Sequence, residues 1–165
     1  MRNFPYFDGA ELPIDTVPVE DGGPTDEQIE AALVAFQSLT PEDREADTRH
    51  VHAYYLGFRN AIGGDEGLNS DMTAPAHPVD IWQYVHPEIV TVTTGGGVDD
   101  NIYVIIHAAC DWEPEHGLQM VWRDGAELVR VSGIDGHPLN STFQGRDVIY
   151  ADPIRVFTTR RSEGG

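Results

Sequence analysis

The chain contains no lysine: all ten of its basic residues are arginine, set against 28 acidic ones for a formal charge of −18. Such a balance repels nucleic acid and anionic membrane surfaces at long range, so neither is expected as a partner. A single cysteine, Cys110, excludes an internal disulfide and any cysteine-based zinc cluster, and agrees with a reducing, cytoplasmic setting. No apolar run approaches the roughly 18–20 residues of a membrane span. The opening MRNFPYFDGAELP has no apolar core of a signal peptide, which again points to the cytoplasm. Several catalytic signatures are missing too. The glycines of GGGVDDN (95–101) are followed by neither a lysine nor a helix, so they are not a phosphate loop. There is no His-Glu-x-x-His pair and no Gly-x-Ser-x-Gly elbow.

What is present fits one domain of 165 residues with an ordinary 40% hydrophobic content. Residues 1–24 hold four of the eleven prolines and read as an N-terminal arm, with Leu12 and Ile14 able to form a short edge strand. The domain proper is expected over 25–157, and 158–165 as a C-terminal tail that frays.

Two helices are signalled at their starts. Thr25-Asp26-Glu27-Gln28 is a capping box, followed by Ile29, Ala32, Leu33, Phe36 and Leu39 on one apolar face. Thr40-Pro41 opens the second helix, with threonine as cap and proline where no helical N–H is needed. Its inner face is Val51, Tyr54, Tyr55, Phe58 and Ile62, with Asp47 outside that face and His50 and His52 at the surface or boundary. The two helices read as a tight helical hairpin. Residues 78–85 predict a short helix and 88–94 a strand.

The centre of the chain is 101–131. Residues 102–109 are almost continuously apolar and predict a central strand covered on both faces. Asp124-Gly125 predicts a two-residue hairpin between 118–122 and 126–131, which pairs Trp122 with Glu127, Met120 with Val129 and Leu118 with Val131. That register buries Leu118, Met120, Trp122, Val129 and Val131 together. Residues 147–157 predict a broken edge strand. The fold class is therefore α+β: an N-terminal helical pair packed on an antiparallel meander of about four to five strands.

Between central strand and hairpin lies CDWEPEHG (110–117), where thiol, acid, indole and imidazole crowd together. Asp111, Trp112, Glu115 and His116 form the candidate functional loop. With His107 on the preceding strand, the donors suit zinc or manganese in a metal-assisted hydrolase, although the spacing matches no metal motif. The plainer reading is that Glu115 and His116 satisfy loop backbone groups, Trp112 packs beneath them and Gly117 makes the turn. Cys110 reads as a small buried hydrophobe before it reads as a nucleophile. No cofactor and no catalytic set are assigned.

The charge is uneven: residues 1–76 hold 15 acids and four arginines, residues 77–165 hold 13 acids and six. Acidity can serve solubility or a saline host. It can also steer a basic protein partner, with Asp26, Glu27, Glu30, Glu42, Asp43, Glu45 and Asp47 as the contact surface.

Cys110-x-Trp112-x-x-Glu115-His116-Gly117, followed by an apolar strand and Asp124-Gly125, resembles a family of small uncharacterised bacterial proteins. The amphipathic helix at 25–39 and Arg49-His50-Val51-His52-Ala53-Tyr54-Tyr55 are similar as well. The resemblance implies no assigned enzyme or cofactor. Some similar proteins are suspected to be immunity or accessory proteins beside bacterial toxins; with the charge and the lack of a catalytic set, this favours a cytoplasmic binding protein.

Overall fold

A computed structural model describes residues 1–61, 72–95, 99–135, 147–151 and 156–160, the last two segments as backbone pairing only. The expectations that rest on Ile62, on 152–155 within the broken edge strand and on 161–165 of the tail lie outside the described residues.

The fold is α+β. Its centre is a seven-stranded sheet of order β3-β4-β5-β6-β7-β8-β9, formed by Ile14–Thr16, Val85–Thr94, Ile102–Cys110, Leu118–Arg123, Glu127–Ser132, Asp147–Ala151 and Val156–Arg160. A separate two-stranded sheet pairs β1, Arg2–Phe4, with β2, Ala10–Leu12. The run β4 to β7 is antiparallel, as a meander requires. The sheet as a whole is mixed, which corrects a purely antiparallel reading: β3 lies parallel to β4 and β8 parallel to β7. In both places the intervening chain is long enough for a crossover. β9 runs to Arg160, so the expected fraying tail is a paired strand over its first residues.

Both helix starts form as their capping residues dictate. In α1, Asp26–Gln37, the Thr25 hydroxyl accepts from the Gln28 N–H, and the Gln28 side chain accepts from the Thr25 N–H at 2.8 Å. In α2, Pro41–Ala61, Asp43 accepts from the Thr40 N–H at 2.7 Å and donates its own N–H back to the Thr40 hydroxyl. The helices do not form a tight pair. The main contacts of α1 go to β4, β5 and the N-terminal segment, and those of α2 to 78–84, the 5–7 turn and β7. Residues Pro78–Tyr84 form a 3-10 segment, and Val85 already belongs to the strand.

One face of the sheet carries the main core. Val104, Ile106 and Ala108 of β5 meet Ala32, Leu33 and Phe36 of α1 and Val51, Tyr54 and Tyr55 of α2. Residues 1–24 contribute to this core directly, since Phe4, Tyr6, Phe7 and Leu12 are all buried in it. Tyr6 and Phe36 are the hubs of its aromatic packing, and both meet the Trp122 ring, at 5.2 and 4.8 Å. Such aromatic pairs add about 0.5–1.5 kcal/mol each beyond the area they bury. The opposite face holds a second cluster of Tyr103, Ile105, Val121 and Val129, which explains why β5 is apolar at every position from 102 to 106.

The hairpin register departs from the expected one. Asp124 and Gly125 both take positive φ, 52° and 75°, but Arg123 pairs with Glu127, so the turn spans three residues, Asp124, Gly125 and Ala126, where two were expected. The pairs that follow are Arg123–Glu127, Trp122–Leu128, Val121–Arg130 and Met120–Val131. The register shifts after Trp122–Leu128, where Val129 is the extra residue of a bulge. The third turn residue sets Leu128 opposite Trp122 in the main core and sends Val129 to the second cluster, and the bulge then brings Val131 back to the core opposite Met120.

Candidate functional site

The loop between β5 and β6 is built on one tight turn. The Glu113 N–H donates to the Cys110 carbonyl at 3.3 Å, and the Gly117 N–H to the Glu113 carbonyl at 3.1 Å. Gly117 takes φ +68°, and a Cβ there would stand 2.7 Å from Ile134 Cδ1 and 2.9 Å from the Ala108 oxygen. Only glycine closes this turn without displacing the neighbouring strands.

The turn directs Glu113, not Glu115, toward His116. Glu113 is buried, and its Oε2 lies 2.6 Å from His116 Nδ1, while its Oε1 accepts from the His116 N–H at 3.3 Å. The His116 side chain is 58% exposed. A carboxylate can only accept, so Nδ1 carries the proton in this bond and Nε2 is left on the open side of the ring. Ile134 fixes the backbone by donating its N–H to the His116 carbonyl at 3.1 Å. Glu115 is exposed and has no partner among the described residues.

The other loop residues serve the frame. Trp112 is buried against Tyr55 and Tyr54, with ring centroids 5.7 and 6.5 Å away. Asp111 faces the other way: Oδ1 lies 3.1 Å from His86 Nε2, and its N–H donates to the Tyr84 carbonyl. Cys110 is buried with its thiol donating to the Glu113 carbonyl at 3.5 Å, and burial pushes that thiol up to about 12. A thiol so held is not a nucleophile near neutral pH.

The metal-site expectation is corrected in its geometry. His107 lies on the opposite face of the sheet from Cys110, where it pairs across strands with Gln119. Asp111 is taken by His86 and His116 by Glu113, and no three side chains of metal-binding type converge among the described residues. Burial pushes the His107 imidazole below its ordinary value, against the opposing pull of Asp15 and Asp135. Among the described residues its buried Nε2 has no hydrogen-bond partner.

Sequence reasoning overlooked a polar group on that second face. Arg130 is buried and holds Asp135 through both guanidinium ends at 3.1 and 2.5 Å, while the buried Gln119 amide donates to the same carboxylate at 3.3 Å. The expected alternation already put Gln119 and Arg130 on this face; what nothing in the sequence marks is their shared partner, Asp135, in the loop beyond β7.

On the acidic surface, Asp26, Glu27, Glu42, Asp43 and Glu45 are exposed on the first turns of α1 and α2. Glu30 is exposed too, but a hydrogen bond from Arg2 and its charge hold the Glu30 carboxyl below its usual range. Asp47 does not belong to this surface: it is buried and accepts a 3.0 Å hydrogen bond from the Tyr6 hydroxyl. His50, expected at the surface or boundary, is buried as well. Arg44 is drawn inward, pairing with Asp8 at 2.9 Å while its guanidinium lies 5.7 Å from the centre of the Trp82 ring.

These features define a small α+β protein with an acidic helical rim and a carboxylate-held histidine at one end of its sheet. The chain belongs to the family described as a domain of unknown function, DUF6985, whose model matches residues 1–138. That stretch includes the N-terminal segment, both helices and β1 to β7. No curated protein and no solved structure matches the chain. No helix among the described residues is long and apolar enough to cross a membrane.

Proposed function

We propose that this protein is a cytoplasmic binding protein, immunity-like in role, whose acidic surface receives a basic protein partner. The observation behind this reading is the exposed rim of Asp26, Glu27, Glu42, Asp43 and Glu45, with Arg2 and Arg44 folded back onto Glu30 and Asp8. The rim therefore presents negative charge on helix N-termini whose own dipoles stabilise it. The likeness of the 110–117 loop to small bacterial proteins, some of them suspected immunity partners, agrees with that role. In this reading α1 and α2 present the contact surface and the β4–β7 meander is its scaffold. Charges of this kind act mainly on association rate and partner choice, and salt screens them. The metal-assisted alternative centred on Asp111, Glu115 and His116 has less behind it, because those three side chains do not converge.

The test is capture of partners from the host lysate at low salt and near 1 M salt, with the native chain and with the Asp26→Asn, Glu27→Gln, Glu42→Gln, Glu45→Gln variant. A basic protein held at low salt, released at high salt and lost with the variant supports the proposal. Capture that ignores both salt and the substitutions overturns it.

A further inference from the structure

The Glu113–His116 pair serves no purpose in partner binding by the acidic rim, yet it is built with care. A carboxylate is buried against a single imidazole, at a distance of 2.6 Å. The imidazole is exposed, its backbone is tied at the N–H by Glu113 and at the carbonyl by Ile134, and the turn beneath it is closed by a glycine that tolerates no side chain. A histidine needed only to satisfy loop backbone would use its ring for that bond. Here the ring is held by a carboxylate and the backbone bonds are made by other atoms.

We propose that Glu113 and His116 form a proton-transfer centre that activates water against small esters. In the reaction, His116 Nε2 takes a proton from water as the oxygen attacks the ester carbonyl. The tetrahedral intermediate collapses by breaking its bond to the alcohol oxygen. The imidazolium returns the proton to that oxygen, so acid and alcohol leave and the ring is restored. Glu113 holds the ring with Nδ1 protonated and stabilises the imidazolium while it exists. It is a positioning residue and His116 the catalytic one.

The surroundings set the substrate class. Glu113 and the exposed Glu115 flank His116 in the loop, which disfavours anionic substrates. Ile134 is 42% exposed, its N–H bonds the His116 carbonyl and its side chain lies over Gly117, giving an apolar rest for an acyl chain beside the loop. A neutral or cationic ester with a short apolar acyl group fits this edge.

The experiment follows p-nitrophenyl butyrate hydrolysis by the full chain, its Glu113→Gln and Glu113→Asp variants, and His116→Gln, each checked for a native melting transition. A positioned base contributes about 10²–10⁴-fold, so the native chain should exceed the same concentration of free imidazole by at least about 100-fold. His116→Gln should fall to the uncatalysed rate. Glu113→Gln should lower kcat with KM unchanged, and Glu113→Asp should recover part of the loss. The reaction should slow in D2O. A native rate no greater than free imidazole, or a His116→Gln variant as fast as the native chain, overturns the proposal. Equal rates in H2O and D2O overturn the water route.

Discussion

Gly125 is where the hairpin turn touches the first helix, and replacing it with alanine separates two costs that usually occur together. Its φ of +75° is one that an alanine adopts at a cost of about 1–2 kcal/mol. The new Cβ would also stand 2.1 Å from the Ala32 carbonyl oxygen and 3.2 Å from the Phe36 nitrogen, both main-chain atoms of a capped helix. Neither can rotate aside, so the turn must back away from α1 by roughly 1 Å, and overpacking of this kind costs about 1–3 kcal/mol. The sum is about 2–5 kcal/mol. Gly22 supplies the control: its φ is +88°, but nothing lies within 4 Å of an added Cβ. Gly22→Ala should therefore lose only the conformational part, about 1–2 kcal/mol. Thermal unfolding followed by tryptophan fluorescence should place Gly125→Ala well below Gly22→Ala, at about 2–4 °C per kcal/mol for a chain of this size. Equal losses in the two variants would show that the turn does not press on the helix and would refute the packing described here.

Cys110 should resist thiol reagents in the native protein at pH 8 and react fully in denaturant, since its thiol is buried and pushed up to about 12. By the same shift the unfolded chain ionises first, so stability should decline as pH rises above about 9, a decline that Cys110→Ala should reduce. His107 works at the other end. Burial lowers its folded value, so the unfolded chain takes up the proton first, and the melting temperature should fall as pH drops below about 6.5. His107→Gln should flatten that slope between pH 7 and 5. Tyr6→Phe should cost about 1–3 kcal/mol in urea unfolding by removing the buried donor to Asp47. A neutral Tyr6→Phe would show that the bond adds nothing to stability.

The elements legible in the sequence were those fixed by neighbouring residues. Thr25 with Gln28 and Thr40 with Asp43 cap their helices across three residues, and Asp124-Gly125 marks the hairpin turn by their positive φ. The core strand was legible because residues 102–106 are apolar on both faces. What escaped depends on pairing at a distance. The parallel pairs β3–β4 and β7–β8 join segments whose separation conceals their direction. The bulge at Val129 escaped for a different reason: Leu128 and Val129 are both apolar, so alternation does not tell which of them faces the helices. Asp47 was misplaced because Tyr6, its hydrogen-bond partner, lies 41 residues earlier in a segment that looked like a loose arm.

The loop shows the same division within eight residues. Sequence reasoning singled out Glu115 beside His116 and passed over Glu113, because adjacency is what a sequence displays. In a tight turn adjacent side chains diverge, and those three apart meet. The bonds from Glu113 N–H to Cys110 and from Gly117 N–H to Glu113 impose such a turn, so the carboxylate three residues back reaches the ring and the adjacent one points to water. The spacing Glu113-x-x-His116 was visible all along. What gives it meaning is the positive φ of Gly117, without which the turn opens and the imidazole loses its partner. Burial then completes the arrangement. Trp112 and Cys110 close the inner side of the loop, so Glu113 has one strong neutralising contact available and His116 makes it. The dyad is thus a consequence of how β5 ends, and a Gly117→Ala substitution should disturb it more than any change at Glu115.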